Sequence, residues 1–125
     1  MNRTLRLAAV PLIATLCASA APARPSEAAA RLGRTVHVDG IVVRPERVIE
    51  DSRCPANAMC VWAGRVVIRA TVRGGRWKRT VDLETGKPVQ VADGALTLVR
   101  VLPAKYGKPI RRGDYRFAFR FDGGI

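Results

Sequence analysis

The sequence predicts an all-β protein: a small antiparallel β-sandwich or barrel of about six to seven short strands, carrying one disulfide. Three observations predict it. Apolar residues recur at every second position along the chain after residue 34, not with the 3.6 period of a helix. Turn-forming steps such as Gly74-Gly75 and Asp93-Gly94 separate these runs. Cys54 and Cys60 form an even pair downstream of a leader of the export type, where oxidised sulfur is the default.

The chain has 125 residues, enough for one domain. Residues 1–20 read as a signal peptide. Arg3 and Arg6 supply the positive start, Leu7 to Cys17 the apolar run, and Ala18-Ser19-Ala20 the small residues that signal peptidase accepts. That run is too short, and too soon followed by Pro22 and Pro25, for a retained anchor. Cys17 falls inside the leader, and Leu16 before it does not suit lipid attachment. Residues 21–33, rich in Ala, Pro and Arg, read as a flexible lead-in with at most one or two helical turns. Residues 34–125 read as a single β domain, periplasmic or secreted.

Within that domain, Thr35 to Arg44 reads as one strand bent or bulged at Gly40, and Glu46 to Glu50 as a short extended piece. Cys54 to Cys60 closes a ring, and loop-closure entropy makes such a cross-link worth about 2–2.5 kcal/mol. Val66, Ile68, Ala70 and Val72 alternate with Arg65, Arg69 and Arg73, and Trp77, Val81 and Leu83 with Lys78, Thr80 and Asp82. A two-residue turn at Gly74-Gly75 would pair Val72 with Trp77, Ile68 with Val81, and Val66 with Leu83. Arg79 then falls opposite Ala70 on the apolar face, its stem covering the small residue. Pro88 to Val91 and Ala95 to Leu102 read as two further strands, and Pro103 to Gly113 as a long basic loop. Tyr115, Phe117, Phe119 and Phe121 alternate with Arg116, Ala118 and Arg120, so the last strand belongs at the centre of the core.

Charge is the strongest chemical signal. The formal net charge is +12, and without Arg3 and Arg6 it is +10, from 20 basic and 10 acidic residues. Arg65, Arg69, Arg73 and Lys78 share the outward face of the predicted hairpin, and Arg116 and Arg120 that of the last strand. These six are the candidate anion-binding residues, and such a field draws polyanions. In an exported protein the partners would be lipopolysaccharide, phospholipid headgroups, an acidic glycan or a protein. Arginine outnumbers lysine 18 to 4, a bias that also fits composition alone.

Enzyme chemistry is poorly provided for. His37 is the single histidine and the only good acid–base candidate, and no phosphate-binding glycine loop is present. His37, Cys54, Met59 and Cys60 make a poor metal set, since a copper site wants two histidines and a zinc site reduced cysteines. No cofactor is implied. Arg76-Trp77-Lys78-Arg79 mixes aromatic and basic residues, but alternation turns Trp77 inward. Arg112-Gly113-Asp114 reads as turn chemistry before a strand.

Residues 51–64 carry a more specific pattern: Asp51-Ser52-Arg53-Cys54-Pro55, a short gap, then Cys60-Val61-Trp62-Ala63-Gly64. This resembles a family of small uncharacterised exported bacterial proteins with such a motif, similar across most of the mature domain. The resemblance extends to the late loop Pro103 to Pro109 and to Asp114-Tyr115. It implies export, the disulfide and a compact β domain, and no catalytic residues. Read physically, Pro55 stiffens the ring, Trp62 falls on the side of Cys60 where it can pack on the disulfide, and Asp51 can pair with Arg53. A rigid corner between strands is the leading reading, and a recognition loop at Pro55 to Met59 the second. The leading function is therefore a non-enzymatic exported β domain binding an anionic or protein partner through a basic face. A braced-loop protease inhibitor using Arg53 is the alternative, and an enzyme centred on His37 the third reading.

Overall fold

The computed structural model describes residues 8–18 and 27–123. Residues 8–18 have no regular secondary structure, and Val10, Leu12, Ile13 and Leu16 are almost wholly exposed. Arg3, Arg6 and Ser19-Ala20, which the signal-peptide reading uses, lie outside the described residues. Eight strands follow: β1 (Ala28–Ala30), β2 (Val36–Val38), β3 (Ile41–Asp51), β4 (Val66–Gly74), β5 (Trp77–Glu84), β6 (Val89–Val91), β7 (Gly94–Leu102) and β8 (Arg116–Gly123). A short 3-10 turn, Arg112–Asp114, precedes β8.

The strands pair into two four-stranded antiparallel sheets, ordered β1-β8-β7-β6 and β2-β3-β4-β5. Their inward rows form one core. The aromatic alternation of the last strand puts Phe117, Phe119 and Phe121 in it, with Tyr115 stacked on Phe117 at a ring-centroid distance of 5.5 Å. Ile68, Leu83, Val43 and Val38 face them from the second sheet with no exposure above 1%. The all-β class is as the periodicity predicts, and the disulfide as the even cysteine pair predicts. The strand count is higher, for two reasons.

First, the stretch read as one strand bent at Gly40 is a hairpin. Asp39 and Gly40 both have positive φ, 40° and 91°, the geometry of a two-residue type I′ turn, which Asp-Gly suits. Second, part of the presumed flexible lead-in is β1, which pairs Ala28 with Phe119 and Ala30 with Phe117. Alanine is a weak strand former, but pairing satisfies an edge of β8 and buries Ala30.

The β4–β5 hairpin keeps its predicted faces but not its predicted register. The turn is Gly75-Arg76, so the partners are Ile68↔Leu83, Ala70↔Val81, Val72↔Arg79 and Gly74↔Trp77. The slip is two residues, which preserves inside and outside. It aligns Arg69 with Asp82 for an ion pair at 2.9 Å, and lays the Trp77 ring over the side-chain-free Gly74. Arg79 faces Val72, not Ala70, and reaches out of the edge strand to donate to the Gln90 carbonyl of β6 in the other sheet (3.1 Å). The β6–β7 turn is likewise Ala92-Asp93, with Gly94 already in the strand.

Three bulges complete the frame. Glu46 and Ile49 are the extra residues of β3 against β4, and Val99 that of β7 against β8. The inward row of β3 therefore runs Ile41, Val43, Pro45, then Val48, and ends at Asp51 opposite the buried Val66. A carboxylate thus closes an apolar row. Truncating Phe119→Ala, at the heart of the other sheet, should cost about 3–5 kcal/mol in denaturant unfolding. A loss below 1 kcal/mol would contradict this core.

Candidate functional site

The Asp51 side chain is only 10% exposed, and a charge so placed needs partners. Arg53 supplies them two residues along. Its Nε and Nη2 donate to the two Asp51 carboxylate oxygens at 2.9 and 3.0 Å, a two-pronged pair that lysine cannot form. Its remaining nitrogen, Nη1, donates to the carbonyls of Val101 (3.3 Å) and Pro103 (3.1 Å), where β7 runs into the basic loop. The Tyr115 hydroxyl, entering from the start of β8, donates to Asp51 Oδ2 at 2.9 Å. Lys105 Nζ donates to the Asp51 carbonyl, also at 2.9 Å. One carboxylate thus ties the end of β3 to β7, β8 and the loop between them.

Electrostatics follow from this geometry. Burial acts to raise the Asp51 pKa, but the hydrogen bonds from Arg53 and Tyr115 and the Arg53 charge outweigh it and hold the carboxyl below its usual range. Burial, then the hydrogen bond to Asp51 and its charge, push the Tyr115 hydroxyl up to about 12. Among the described residues no buried side-chain polar atom is without a partner. The Asp51 carboxylate is thus answered within the protein, by Arg53 and Tyr115.

The cysteine ring hangs from this staple. Cys54 and Cys60 are joined, with a Cα–Cα distance of 5.8 Å. Ala56 N–H donates to the Lys105 carbonyl (2.6 Å) and Ala58 N–H to the Pro55 carbonyl (3.0 Å), so the ring is fastened to the basic loop and to itself. Ser52 is held to Arg65 by its amide, which donates to the Arg65 carbonyl, and by its hydroxyl, which accepts from the Arg65 amide. Gly64 sits against this bridge with φ 68°, and a Cβ there would overlap the Ser52 carbonyl, which explains the glycine. Trp62 is not buried on the disulfide as its spacing from Cys60 suggests. It is 58% exposed, and its indole N–H donates to the Ser52 carbonyl (3.3 Å).

The six basic residues singled out in the sequence do not converge. Arg65, Arg69, Arg73 and Lys78 lie on the outer face of the second sheet, Arg116 and Arg120 on that of the first, on the opposite side of the sandwich. Several are already answered by carboxylates: Arg65 by Glu50 and Glu84, Arg69 by Asp82, and Arg120 by Asp122. Arg116 donates to the carbonyls of Gly113 and Tyr115, while Arg73 and Lys78 stand exposed opposite each other.

The less regular end of the molecule has a different balance. No Asp or Glu occurs between Ser52 and Val81, or between Gly94 and Gly113. Lys108 and Arg111 are exposed there, and Lys105 and Arg112 are held by carbonyl oxygens, of Asp51 and Glu46, which do not neutralise them. In and just after the cysteine ring, which the hydrogen bond between Ala56 and Lys105 joins to this loop, Met59 and Val61 are almost fully exposed, and in the loop Tyr106 is 64% exposed. These three were not singled out as exposed in the sequence, since nothing in the alternation says which apolar residues a loop leaves outside.

An open cleft of about 370 Å³ lies nearby, walled by Val66, Val99 and Val101 with Arg53, Arg65 and Arg100 around it. All three arginines are engaged, Arg100 with Glu27 at 2.7 Å. His37 is exposed on β2, and the described residues hold no group of three or more His, Cys, Asp or Glu able to bind a metal. Arg53, the residue a braced-loop inhibitor would present, is turned in onto Asp51 with a side chain 22% exposed.

Arg53→Ala should destabilise the protein by about 2–4 kcal/mol, because it strands a mostly buried carboxylate, with Arg53→Lys intermediate. Denaturant titration of both variants checks this, and a loss under 0.5 kcal/mol for alanine would contradict it. The same network sets two pH limits. The depressed Asp51 pKa contributes stability that is complete above about pH 4 and disappears as pH falls through the lower folded value. The raised Tyr115 pKa contributes stability that is complete below about pH 10 and is lost as pH climbs to about 12. Unfolding free energies across pH should show a shallower acid limb for Asp51→Asn and a shallower alkaline limb for Tyr115→Phe.

Compared with known proteins, the chain matches no family model, no curated protein and no solved structure.

Proposed function

We propose that the protein is an exported, non-enzymatic β-sandwich that binds an anionic component of the envelope, in the periplasm or outside the cell. Its export-type leader, the resemblance of its cysteine motif to exported bacterial proteins, and the disulfide all favour export. The described large apolar side chains of the leader, Val10, Leu12, Ile13 and Leu16, contribute nothing to the core. No helix among the described residues is long and apolar enough to cross a membrane.

One observation carries the binding reading. The end formed by residues 52–65 and 102–113 contributes no Asp or Glu. Although Arg53 and Arg65 are paired with Asp51 and Glu50, Lys108 and Arg111 stand exposed with no carboxylate partner among the described residues, whereas Arg69 and Arg120 on the strand faces are paired. A paired cation's field is cancelled by its own carboxylate, whereas unpaired cations steer anions over a Debye length, roughly 8 Å at physiological salt. The binding surface is therefore assigned to this end and not to the strand faces.

On immobilised heparin, retention should fall steeply with salt. Lys108→Gln combined with Arg111→Gln should elute clearly earlier than Arg69→Gln combined with Arg120→Gln, which removes equal charge from ion pairs. Weak, salt-insensitive retention would overturn the reading, and equal shifts for the two variants would remove its assignment to this end.

A further inference from the structure

We propose that the disulfide-braced end is a membrane-docking tip, which inserts Met59, Val61 and Trp62 shallowly into the surface of an anionic phospholipid bilayer while the neighbouring cations hold its headgroups. This rests on the envelope-binding reading above and names its ligand.

Three features of the tip favour a lipid interface. The first is composition. Met59, Val61 and Trp62 fall within four consecutive residues, exposed to 103%, 99% and 58%, and Tyr106 joins them from the loop hydrogen-bonded to the ring. Tryptophan and tyrosine, apolar in body and polar at one point, settle at the boundary between headgroups and acyl chains. The second is charge. Lys105, Lys108, Arg111 and Arg112 lie in that same loop with no acidic residue among them, the complement of a surface of phosphodiesters.

The third is the state of the polar groups. Entry into an interface is costly for unpaired backbone donors. Here Pro55 has no N–H, the amides of Ala56 and Ala58 are bonded within the protein, and the Trp62 indole N–H is taken by Ser52. The amides of Met59, Val61 and Trp62 are bonded to no carbonyl of the described residues, so insertion stays at headgroup depth, where phosphate and water accept from them. The ring is also held before it meets the bilayer, by its disulfide and by Lys105, so little ordering entropy is lost on insertion.

The test uses the mature chain with its disulfide intact, and large vesicles of either phosphatidylcholine alone or phosphatidylcholine mixed equally with phosphatidylglycerol. Sedimentation with vesicles should require the anionic lipid. Tryptophan emission should shift to the blue and lose access to aqueous iodide in wild type and Trp77→Phe, but not in Trp62→Phe. Met59→Ser combined with Val61→Ser alters two side chains outside the core, so it folds normally. It should weaken vesicle binding by about tenfold or more and leave heparin retention unchanged.

Vesicle binding unaffected by the double variant, with no change in Trp62 emission, would overturn the tip while heparin retention kept the electrostatic reading standing. Equal binding to uncharged vesicles would also overturn it. So would a concentration-dependent dimer abolished by the double variant without effect on vesicles, because the apolar residues would then be a contact between copies. Absence of both heparin and vesicle binding would remove the two readings together.

Discussion

A single carboxylate at the end of an otherwise apolar strand row organises this protein. Asp51 is too enclosed to stay charged without compensation, and too near the margin of the core to be replaced by a larger apolar side chain without losing the links it makes. Its two oxygens take the guanidinium of Arg53 and the hydroxyl of Tyr115, and Arg53 carries the connection on to the carbonyls of Val101 and Pro103. Elements from both sheets and the long loop are thereby fixed at one point. The cysteine ring, fastened to the same loop through Ala56 and Lys105, becomes an extension of that staple.

This arrangement divides the molecule's positive charge into two kinds. On the strands, antiparallel pairing puts arginine opposite carboxylate, as at Arg69 and Asp82, and the cation serves the sheet. In the irregular end no strand partner supplies a carboxylate to Lys108 or Arg111, and the flanking Asp51 is already taken by Arg53 and Tyr115. The uncompensated cations therefore gather where the rigid ring and its exposed apolar side chains are. Charge and apolar exposure meet there because the same network that rigidifies the end leaves its outermost residues nothing to pack against.

Much of the sandwich was legible in residue order. The period-two runs gave the strands and their inner faces, because a side chain's face depends only on parity. That is why the β4–β5 faces survived a register two residues away from the one expected. Oxidation of Cys54 and Cys60 followed from their number and close spacing. The motif at 51–55 was visible as a pattern, and the spacing of Asp51 and Arg53 gave their ion pair, but Tyr115 as the third partner was not readable. It lies 64 residues from Asp51, and only the stacking of the two sheets brings them together.

What residue order alone determined, then, is what depends on local stereochemistry: strand periodicity, the sides of each strand, the short disulfide ring and the excess of cations. Tertiary structure decided the rest. It recruited β1 from an alanine run because β8 had an edge to fill. It set the hairpin register, through one ion pair and one indole over a glycine. It also split the outward arginines between opposite faces. Each of these is a choice among partners distant in sequence, and such choices are made by the packing of the assembled sheets.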